Sequence, residues 1–358
     1  MKHLGISFGQ LKTWHDGLGE VSQRLGMFIA SEADKLRESG IDLHYHLPQK
    51  WHGHFGDNVN YLATNRLQRI IHLHHERFDL WHTLHQHNRF LPPLGSKQRL
   101  LTVHDLNFLY SNSPTRIHRH IRRTQRIINR QTALVCISKH VGKDMVDSLR
   151  LKTLPELIYN GVADLTTELS QAPVDRPAPG FLLHISRMAA SKNIACLINL
   201  AAEMPNGRFV FAGPHSPDSV AVRREVEIRG LTNIQLLENV TEAEKTWLYK
   251  NCRGFLFPSL TEGFGLPPIE AMHFGKPVFL SRLTSLPEIG GEVAFYFDSF
   301  DTQAMMTTVN RGLAAAADDA GMAPAITAHA RGFNWLRCGS AYLELYKRLI
   351  LSNDTCHP

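Results

Sequence analysis

The segment TEGFGLPPIEAM (261–272) carries two glutamates, Glu262 and Glu270, on either side of a Gly-Phe-Gly turn and a Pro-Pro pair. It follows GFLFPS (254–259), an apolar run typical of a buried strand. Proline is well tolerated in the first helical turn, so the segment predicts a strand, a loop and a helix. A helix N-terminus there favours an anion or sugar hydroxyls, with Glu262 at the mouth of the site and Glu270 about a turn deeper. A capping glutamate and a solvated one are the alternative, which the glycine and proline context disfavours.

Two basic side chains, Arg187 and Lys192, follow another predicted strand in HISRMAASKN (184–193). Arginine can contact two phosphate oxygens at once, and lysine adds a point charge, so together they suit an anionic ligand. Simple solvation of both side chains is the alternative. A third candidate is WHDGLGE (14–20), where glycines permit a close backbone approach, although most such pairs are only turns.

These residues need strands and helices to position them. Short apolar runs alternate with helical patterns along the chain, which is typical of βαβ units and a mainly parallel sheet. The predicted helices are clearest over 20–38 and 115–131. The predicted strands are 3–8, 41–47, 78–84, 99–104, 133–138 and 156–160 in the first half, and 180–186, 208–213, 233–237, 254–259, 277–281 and 294–298 in the second. The predicted fold class is therefore α/β.

The alternation of strands and helices is present in both halves of the chain, which predicts two Rossmann-like domains. The stretch 163–180 is rich in Pro, Ala, Ser and Thr and is interpreted as a linker. We expect an N-terminal domain over 1–165, a C-terminal domain over 180–334, and a last helix near 335–351 that packs back on the first domain. Open α/β sheets bind ligands at the carboxyl ends of their strands, so an interdomain cleft is the expected active site.

Composition restricts the class of protein. The chain has 358 residues and a formal net charge of +6, which favours an anionic partner such as nucleotide phosphates, a membrane face or nucleic acid. No basic motif interleaved with aromatics supports nucleic acid. No apolar run suits a membrane span and the opening MKHLGISFG does not suit a signal peptide, so a cytoplasmic protein is expected. The five cysteines are widely scattered and indicate neither a disulfide framework nor a zinc site. They are Cys136, Cys196, Cys252, Cys338 and Cys356.

Six motifs together resemble one enzyme family. In chain order they are DGLGEV (16–21), TVHD (102–105), YNGV (159–162), SRMAASKN (186–193), PSLTEGFGLPPIEAMHFGKPV (258–278) and TSLPEIGGEVAFYFD (284–298). They resemble the retaining nucleotide-sugar glycosyltransferases of the GT4 type, which have the GT-B fold. The resemblance covers nearly the whole chain. Its specific parts are the two-glutamate block and the SLPE-GG block, whereas the glycine loop and YNGV only support it.

The resemblance implies roles for the matching residues. The catalytic set would be Arg187 and Lys192 on the diphosphate, Glu262 by the donor sugar, and His104 near the hexose. Glu270 would hold the ribose hydroxyls. The other donor-binding residues would be Gly17 at the diphosphate, the backbone of Gly263, Phe264, Gly265 and Leu266 at sugar hydroxyls and phosphate, and Gly213, Leu237 and Val240, of which the last two lie in a segment placed to meet the nucleobase. Ser186 and His273 depart from the usual family residues and leave donor detail open.

The function implied is transfer of a hexose, for example mannose or glucose, from a nucleotide-diphosphate sugar to a glycan or lipid-linked acceptor in cell-envelope polysaccharide or lipopolysaccharide synthesis. The arginine and lysine would replace a divalent metal, and no DxD motif occurs, so neither metal nor cofactor is expected. The alternatives are another GT-B enzyme, such as a sugar-nucleotide epimerase or a phosphorylase, and a noncatalytic module that binds a nucleotide sugar or nucleic acid.

Two further features have open interpretations. Histidines are frequent before residue 141, as in HLHH (72–75) and HQHN (85–88). Metal binding is one interpretation, but no acid or cysteine completes a recognisable ligand set, so loops facing an acceptor are favoured. The basic helix RIHRHIRRTQRIINR (116–130) suits either peripheral contact with an anionic inner membrane or a core helix with a solvated face.

Overall fold

The computed structural model describes residues 1–9, 14, 17–111 and 113–351, so Asp16 of the DGLGEV motif and Cys356 lie outside the described residues. The chain divides into two compact units. One is Met1–Gly161 together with the C-terminal helix from Trp335, and the other is Val162–Asn334. The segment interpreted as a linker is grouped with the second unit. No described helix combines the length and apolarity needed to cross a membrane.

The first unit contains a fully parallel seven-stranded sheet of order β3-β2-β1-β4-β5-β6-β7. Most of these strands match the predicted apolar runs. The exception is β3, which has two exposed and two partly buried residues and therefore a weak hydrophobic signal. The strands are β1 (Lys2–Ser7), β2 (Ile41–Leu47), β3 (Asn60–Ala63), β4 (Leu80–Thr83), β5 (Gln98–Val103), β6 (Ala133–Cys136) and β7 (Glu156–Leu157).

The helices of the first unit include α1 (Gly17–Ser31), α2 (Ala33–Glu38), α3 (Pro114–Ile128), α4 (Lys139–Ser148) and α12 (Trp335–Leu351). The single helix predicted over 20–38 is thus two helices. The C-terminal helix packs on this unit, because its Tyr346 hydroxyl lies 2.7 Å from His82 Nδ1 and its Tyr342 hydroxyl 2.9 Å from Thr102 Oγ1, all buried. Burying these aromatic side chains joins the chain's end to the central strands.

The second unit has a parallel six-stranded sheet of order β10-β9-β8-β11-β12-β13. Its strands are almost wholly buried, as expected for parallel strands covered on both faces. The strands are β8 (Leu182–Ile185), β9 (Phe209–Gly213), β10 (Ile234–Glu238), β11 (Gly254–Phe257), β12 (Val278–Ser281) and β13 (Phe295–Phe297). The helices include α5 (Ile194–Glu203), α6 (Pro217–Ile228), α7 (Glu242–Asn251), α8 (Leu266–His273), α9 (Leu286–Gly290), α10 (Thr302–Asp318) and α11 (Met322–Ala330). The predicted α/β class is confirmed.

Candidate active site

The candidate donor-site residues of the second unit lie at or after the carboxyl ends of its strands, where open α/β sheets bind ligands. Backbone strain marks the same edge. Among the described residues other than glycine, those with positive φ are Met188, Asn193, Asn239 and Thr284, and all four belong to this unit. Three of them come within three residues of the ends of β8, β10 and β12. Such conformations cost free energy and concentrate at functional sites.

An ion pair joins two of the predicted catalytic residues. Lys192 Nζ contacts Glu262 Oε1, with side chains only 14% and 13% exposed. The ammonium also lies 5.3 Å from the centre of the Phe257 ring. Thr284 Oγ1 accepts a hydrogen bond from the Glu262 backbone NH at 3.0 Å. The fold therefore brings together side chains that are 70 residues apart, and the lysine retains NH donors for an anion.

Arg187, by contrast, is exposed and directly precedes Met188, whose φ is 55°. This segment is held from within the protein. Ser186 Oγ accepts a hydrogen bond from the Met188 backbone NH at 2.9 Å and lies 2.7 Å from Nε2 of the buried His184. Burial lowers the pKa of His184 to about 4, so the imidazole is neutral at pH 7. Ser186, the departure from the usual glycine, thus positions the loop that carries Arg187.

The Gly-Phe-Gly loop is fastened by the SLPE-GG block. The Ser285 hydroxyl lies 2.6 Å from the Phe264 carbonyl oxygen and 3.1 Å from that of Glu262. Gly265 has φ of 125°, which disfavours any side chain, and α8 begins at the next residue, Leu266. Phe264 is buried and its ring packs edge-on against Phe333 at 5.8 Å. The sequence motif did not reveal that Thr284 and Ser285 hold this loop.

Glu270 occupies a different environment from Glu262. It is 3% exposed, its Oε2 accepts a hydrogen bond from the Tyr249 hydroxyl at 2.7 Å, and its Oε1 lies 3.2 Å from Lys245 Nζ. Sequence reasoning missed both partners. Lys245 and Tyr249 are four residues apart on α7 and therefore share one face of that helix. The sequence predicted the start of this helix from the Thr241 capping box, and this spacing could have indicated the pair. A ribose hydroxyl could use only the remaining lone pairs of this carboxylate.

The other donor candidates of this unit lie at the carboxyl ends of β9 and β10: Gly213 is the last residue of β9, Leu237 is the penultimate residue of β10, and Val240 follows β10. A Cβ on Gly213 would lie 1.9 Å from the Ser186 carbonyl oxygen, so only glycine fits there. Leu237 is 7% exposed, and Val240 is partly buried. Sequence reasoning missed Glu238. Hydrogen bonds from Ser219, at 2.6 Å, and from His215 lower its pKa.

His104 and Gly17 belong to the first unit. The His104 Nε2 lies 2.8 Å from the Leu84 carbonyl oxygen, and its backbone NH donates to Gln86 Oε1 at 3.0 Å. Burial lowers its pKa to about 4. The imidazole is therefore neutral at pH 7, with Nε2 as the donor and Nδ1 as an acceptor. Gly17 starts α1 and is exposed. A Cβ added to it would meet no atom of the described chain within 4 Å, so packing against the described residues does not require glycine there.

His273, the second departure from the family pattern, is 4% exposed on α8. Neither ring nitrogen has a hydrogen-bond partner among the described residues, and Nδ1 lies 3.8 Å from Asp164 Oδ2. Burial lowers its pKa. His273 is therefore a buried residue of the helix that carries Glu270, and no hydrogen bond within the described chain links its ring to the Lys192 pair.

Known proteins resemble this chain in both sequence and fold. Residues 166–315 match the family described as glycosyl transferases group 1. The serotype-specific mannosyltransferase WbdA of Escherichia coli is 27% identical over 281 residues, which is 74% of this chain and 33% of that protein. The O-antigen chain mannosyltransferase B of Escherichia coli is 32% identical over 180 residues, 48% of this chain and 46% of that protein. These matches span about a third to a half of the relatives' length.

Solved structures show the same architecture. Sucrose-phosphate synthase from Thermosynechococcus elongatus superimposes with a TM-score of 0.76 at 16% identity, covering 98% of this chain and 100% of that one. HepE from Anabaena, in complex with UDP and glucose, gives 0.71 at 16% identity over 97% and 100%. At such identities the likeness shows the fold alone, which is GT-B. Residues 166–315 thus match the group 1 glycosyl transferases, the GT4-type family that the motifs of the chain resemble, and the relatives in sequence are named mannosyltransferases.

Proposed function

We propose that this protein is a retaining hexosyltransferase that uses a nucleotide-diphosphate sugar and elongates a glycan or lipid-linked acceptor in cell-envelope polysaccharide synthesis. The observation that carries the proposal is the Lys192–Glu262 pair at the carboxyl edge of a parallel sheet, in a region that matches the family. The relatives named mannosyltransferases make mannose the first donor sugar to test.

The chemistry follows from charge. The bond from the sugar C1 to the diphosphate oxygen breaks, which builds negative charge on the phosphate and positive charge on the sugar ring. Fixed cations stabilise that phosphate more in the transition state than in the ground state, so they raise kcat. Lys192 and the exposed Arg187 supply this charge. Glu262 orients the ammonium and lies on the sugar side.

Retention of configuration requires the acceptor oxygen to form its bond to C1 on the face that the diphosphate leaves. The acceptor proton then passes to a phosphate oxygen, so no enzymic nucleophile is needed and Glu262 is assigned none. His104 contributes as a neutral group, since its pKa of about 4 keeps it uncharged at pH 7. Its Nδ1 would accept a hydrogen bond from a hexose hydroxyl, and Gly17 would approach the diphosphate.

The deeper carboxylate, Glu270, would bind the ribose through lone pairs that Tyr249 and Lys245 do not use. These partners hold the carboxylate in one orientation, which reduces the entropy lost on binding. Leu237 and Val240 would flank the base, and Gly213 lets the end of β9 approach the Ser186 carbonyl closely. The backbone from Gly263 to Leu266 would contact sugar hydroxyls and phosphate.

Peripheral contact with an anionic membrane is proposed for α3. Its exposed arginines are Arg116, Arg119, Arg122, Arg123 and Arg126, and the helix contains no acidic residue. Its isoleucines are partly or fully buried, so the contact would be electrostatic and salt-sensitive. Flotation with vesicles of anionic lipid should capture the chain at low salt and release it at high salt. Equal capture by neutral vesicles would contradict this proposal.

A donor array tests the main proposal. Thermal shifts with GDP-mannose, UDP-glucose and ADP-glucose identify the nucleotide, since a ligand that binds only the folded state raises Tm. Release of the nucleoside diphosphate with acceptor then measures transfer, and NMR of the product reports the anomeric configuration. Binding without release would favour a noncatalytic module, and an altered nucleotide sugar with no transfer would favour an epimerase. No shift with any donor would refute the proposal.

A further inference from the structure

The inner strands β1 and β2 carry apolar side chains on one face and polar side chains at the start of the other face. Leu4 and Leu43 point into the hydrophobic core. Side chains alternate along a strand, so His3, Asp42 and His44 project from the other face. The parallel register pairs His3 directly with Asp42. Three potential metal ligands therefore come together near the amino-terminal ends of their strands.

The distances among these ligand atoms suit a single ion. His3 Nδ1 lies 3.0 Å from His44 Nε2, which in turn lies 3.4 Å from Asp42 Oδ2. All three atoms lie within 4.8 Å of one another. Tetrahedral zinc with bonds of about 2.0–2.1 Å separates its ligand atoms by about 3.3 Å. The cluster thus has nearly the spacing of three corners of such a site.

The second imidazole nitrogen of His44 gives an independent indication. His44 is 3% exposed, and its Nδ1 is buried with no hydrogen-bond partner among the described residues. Glu76 Oε2 lies 3.7 Å from this nitrogen and 3.9 Å from His3 Nδ1. Histidine that binds a metal through one nitrogen commonly donates its other NH to a carboxylate. Glu76 is placed to accept that proton or to supply a fourth ligand.

A neighbouring histidine shows what an ordinary buried histidine looks like here. His46 lies two residues further along β2, and both of its ring nitrogens are paired: Nδ1 with Ser7 Oγ at 2.9 Å and Nε2 with Gln68 Oε1 at 3.0 Å. His44 lacks such a set of partners for Nδ1 within the described chain. A hydrogen-bonded histidine pair explains the contact with His3 but leaves a buried nitrogen unsatisfied, which is costly.

We propose that His3, Asp42 and His44 bind one zinc ion, with Glu76 completing or orienting the set. Two imidazoles and carboxylate oxygen suit zinc better than magnesium or calcium, which prefer all-oxygen sites. Asn60 Nδ2 donates to Asp42 Oδ2 at 2.9 Å and would hold the carboxylate in place. The site lies at the opposite ends of the strands from the candidate ligand edge of this sheet. Its role would be structural, joining β1 and β2 to the segment before β4.

The test uses untagged full-length protein stripped of metal with a chelator. Zinc titrated by calorimetry should bind one ion per chain and raise Tm. Asp42→Asn and His44→Gln should each weaken zinc binding at least about tenfold, whereas His118→Gln, on the exposed face of α3, should not change it. Cobalt substituted into the wild-type chain should give the visible absorption of a four-coordinate ion, which does not depend on any variant folding.

Three results would overturn the proposal. The first is zinc affinity in Asp42→Asn equal to that of the wild type while circular dichroism shows a folded chain. The second is a loss of affinity in His75→Gln but not in His44→Gln, which would place the ion at His74, His75 and Glu76. The third is an octahedral cobalt spectrum together with no zinc-dependent rise in Tm. None of these results depends on the proposed transferase activity.

Discussion

Replacing Lys192 with methionine tests the central electrostatic role most directly. The substitution keeps much of the side-chain volume and removes the charge that pairs with Glu262. With an effective dielectric of about 20, a cation about 4 Å from a developing phosphate charge contributes about 4 kcal/mol. That value corresponds to about a thousandfold in kcat. The variant also leaves the Glu262 carboxylate without its cation, which adds repulsion of the diphosphate.

The assay measures the rate of nucleoside diphosphate release over a range of donor concentrations that reaches saturation. The stabilisation is specific to the transition state, so kcat should fall about a thousandfold while KM changes much less. Lys250→Met, which replaces an exposed lysine on α7, is the matched control and should retain full activity. The double variant Lys192→Met with Glu262→Gln should recover part of the loss, because the unpaired charge is gone.

One outcome would refute this reasoning. If folded Lys192→Met turns over the donor within about threefold of the wild type, the charge contributes less than about 1 kcal/mol to the transition state. Lys192 would then be a structural partner of Glu262 alone. A large rise in KM with unchanged kcat would likewise show that the lysine binds substrate and transition state equally.

Three further predictions concern stability. Tyr249→Phe leaves one oxygen of buried Glu270 without its donor and should lower the free energy of urea unfolding by about 1–3 kcal/mol. An unchanged midpoint would contradict that hydrogen bond. Gly213→Ala puts a methyl group 1.9 Å from the Ser186 carbonyl oxygen and should cost about 1–3 kcal/mol through forced backbone shifts, measurable as a lower Tm. Burial lowers the pKa of His82 from 6.5 to about 3, so only the unfolded chain gains a proton as the pH falls below 6.5. Its contribution is complete above pH 6.5 and is lost towards pH 3 at about 1.4 kcal/mol per pH unit. Between pH 7.5 and 5.5, the free energy of unfolding of His82→Gln should therefore fall by about 1.4 kcal/mol less than that of the wild type, which is an average difference of about half a proton.

The sequence predicted the strands well because parallel strands buried on both faces appear as continuous apolar runs. It missed β3, whose side chains lie half in solvent and carry a weak apolar signal. It also merged α1 and α2, because apolar spacing continues through the break after Ser31. For the site, the motifs in the sequence indicated Lys192 and Glu262 as candidates. They did not predict that the two side chains form an ion pair.

The proposed zinc site shows the same limit of sequence patterns. Glu76 follows HLHH directly, yet its proximity in sequence does not reveal which histidines it approaches in the fold. His3 and Asp42 are 39 positions apart in the sequence and become neighbours only through the register of β1 and β2. Ligand geometry depends on that pairing, which periodicity along one strand cannot specify.

Local pattern alone therefore established the α/β class, the strand order along the chain and the types of residue available for phosphate and sugar. These properties depend on burial and turn chemistry within a few residues, which a sequence displays directly. Tertiary structure determined the partners: Lys192 with Glu262, Glu270 with Tyr249, and His44 with His3. Each pair joins residues on different elements, and their distance is set by sheet register and helix packing, which involve contacts far apart in the chain.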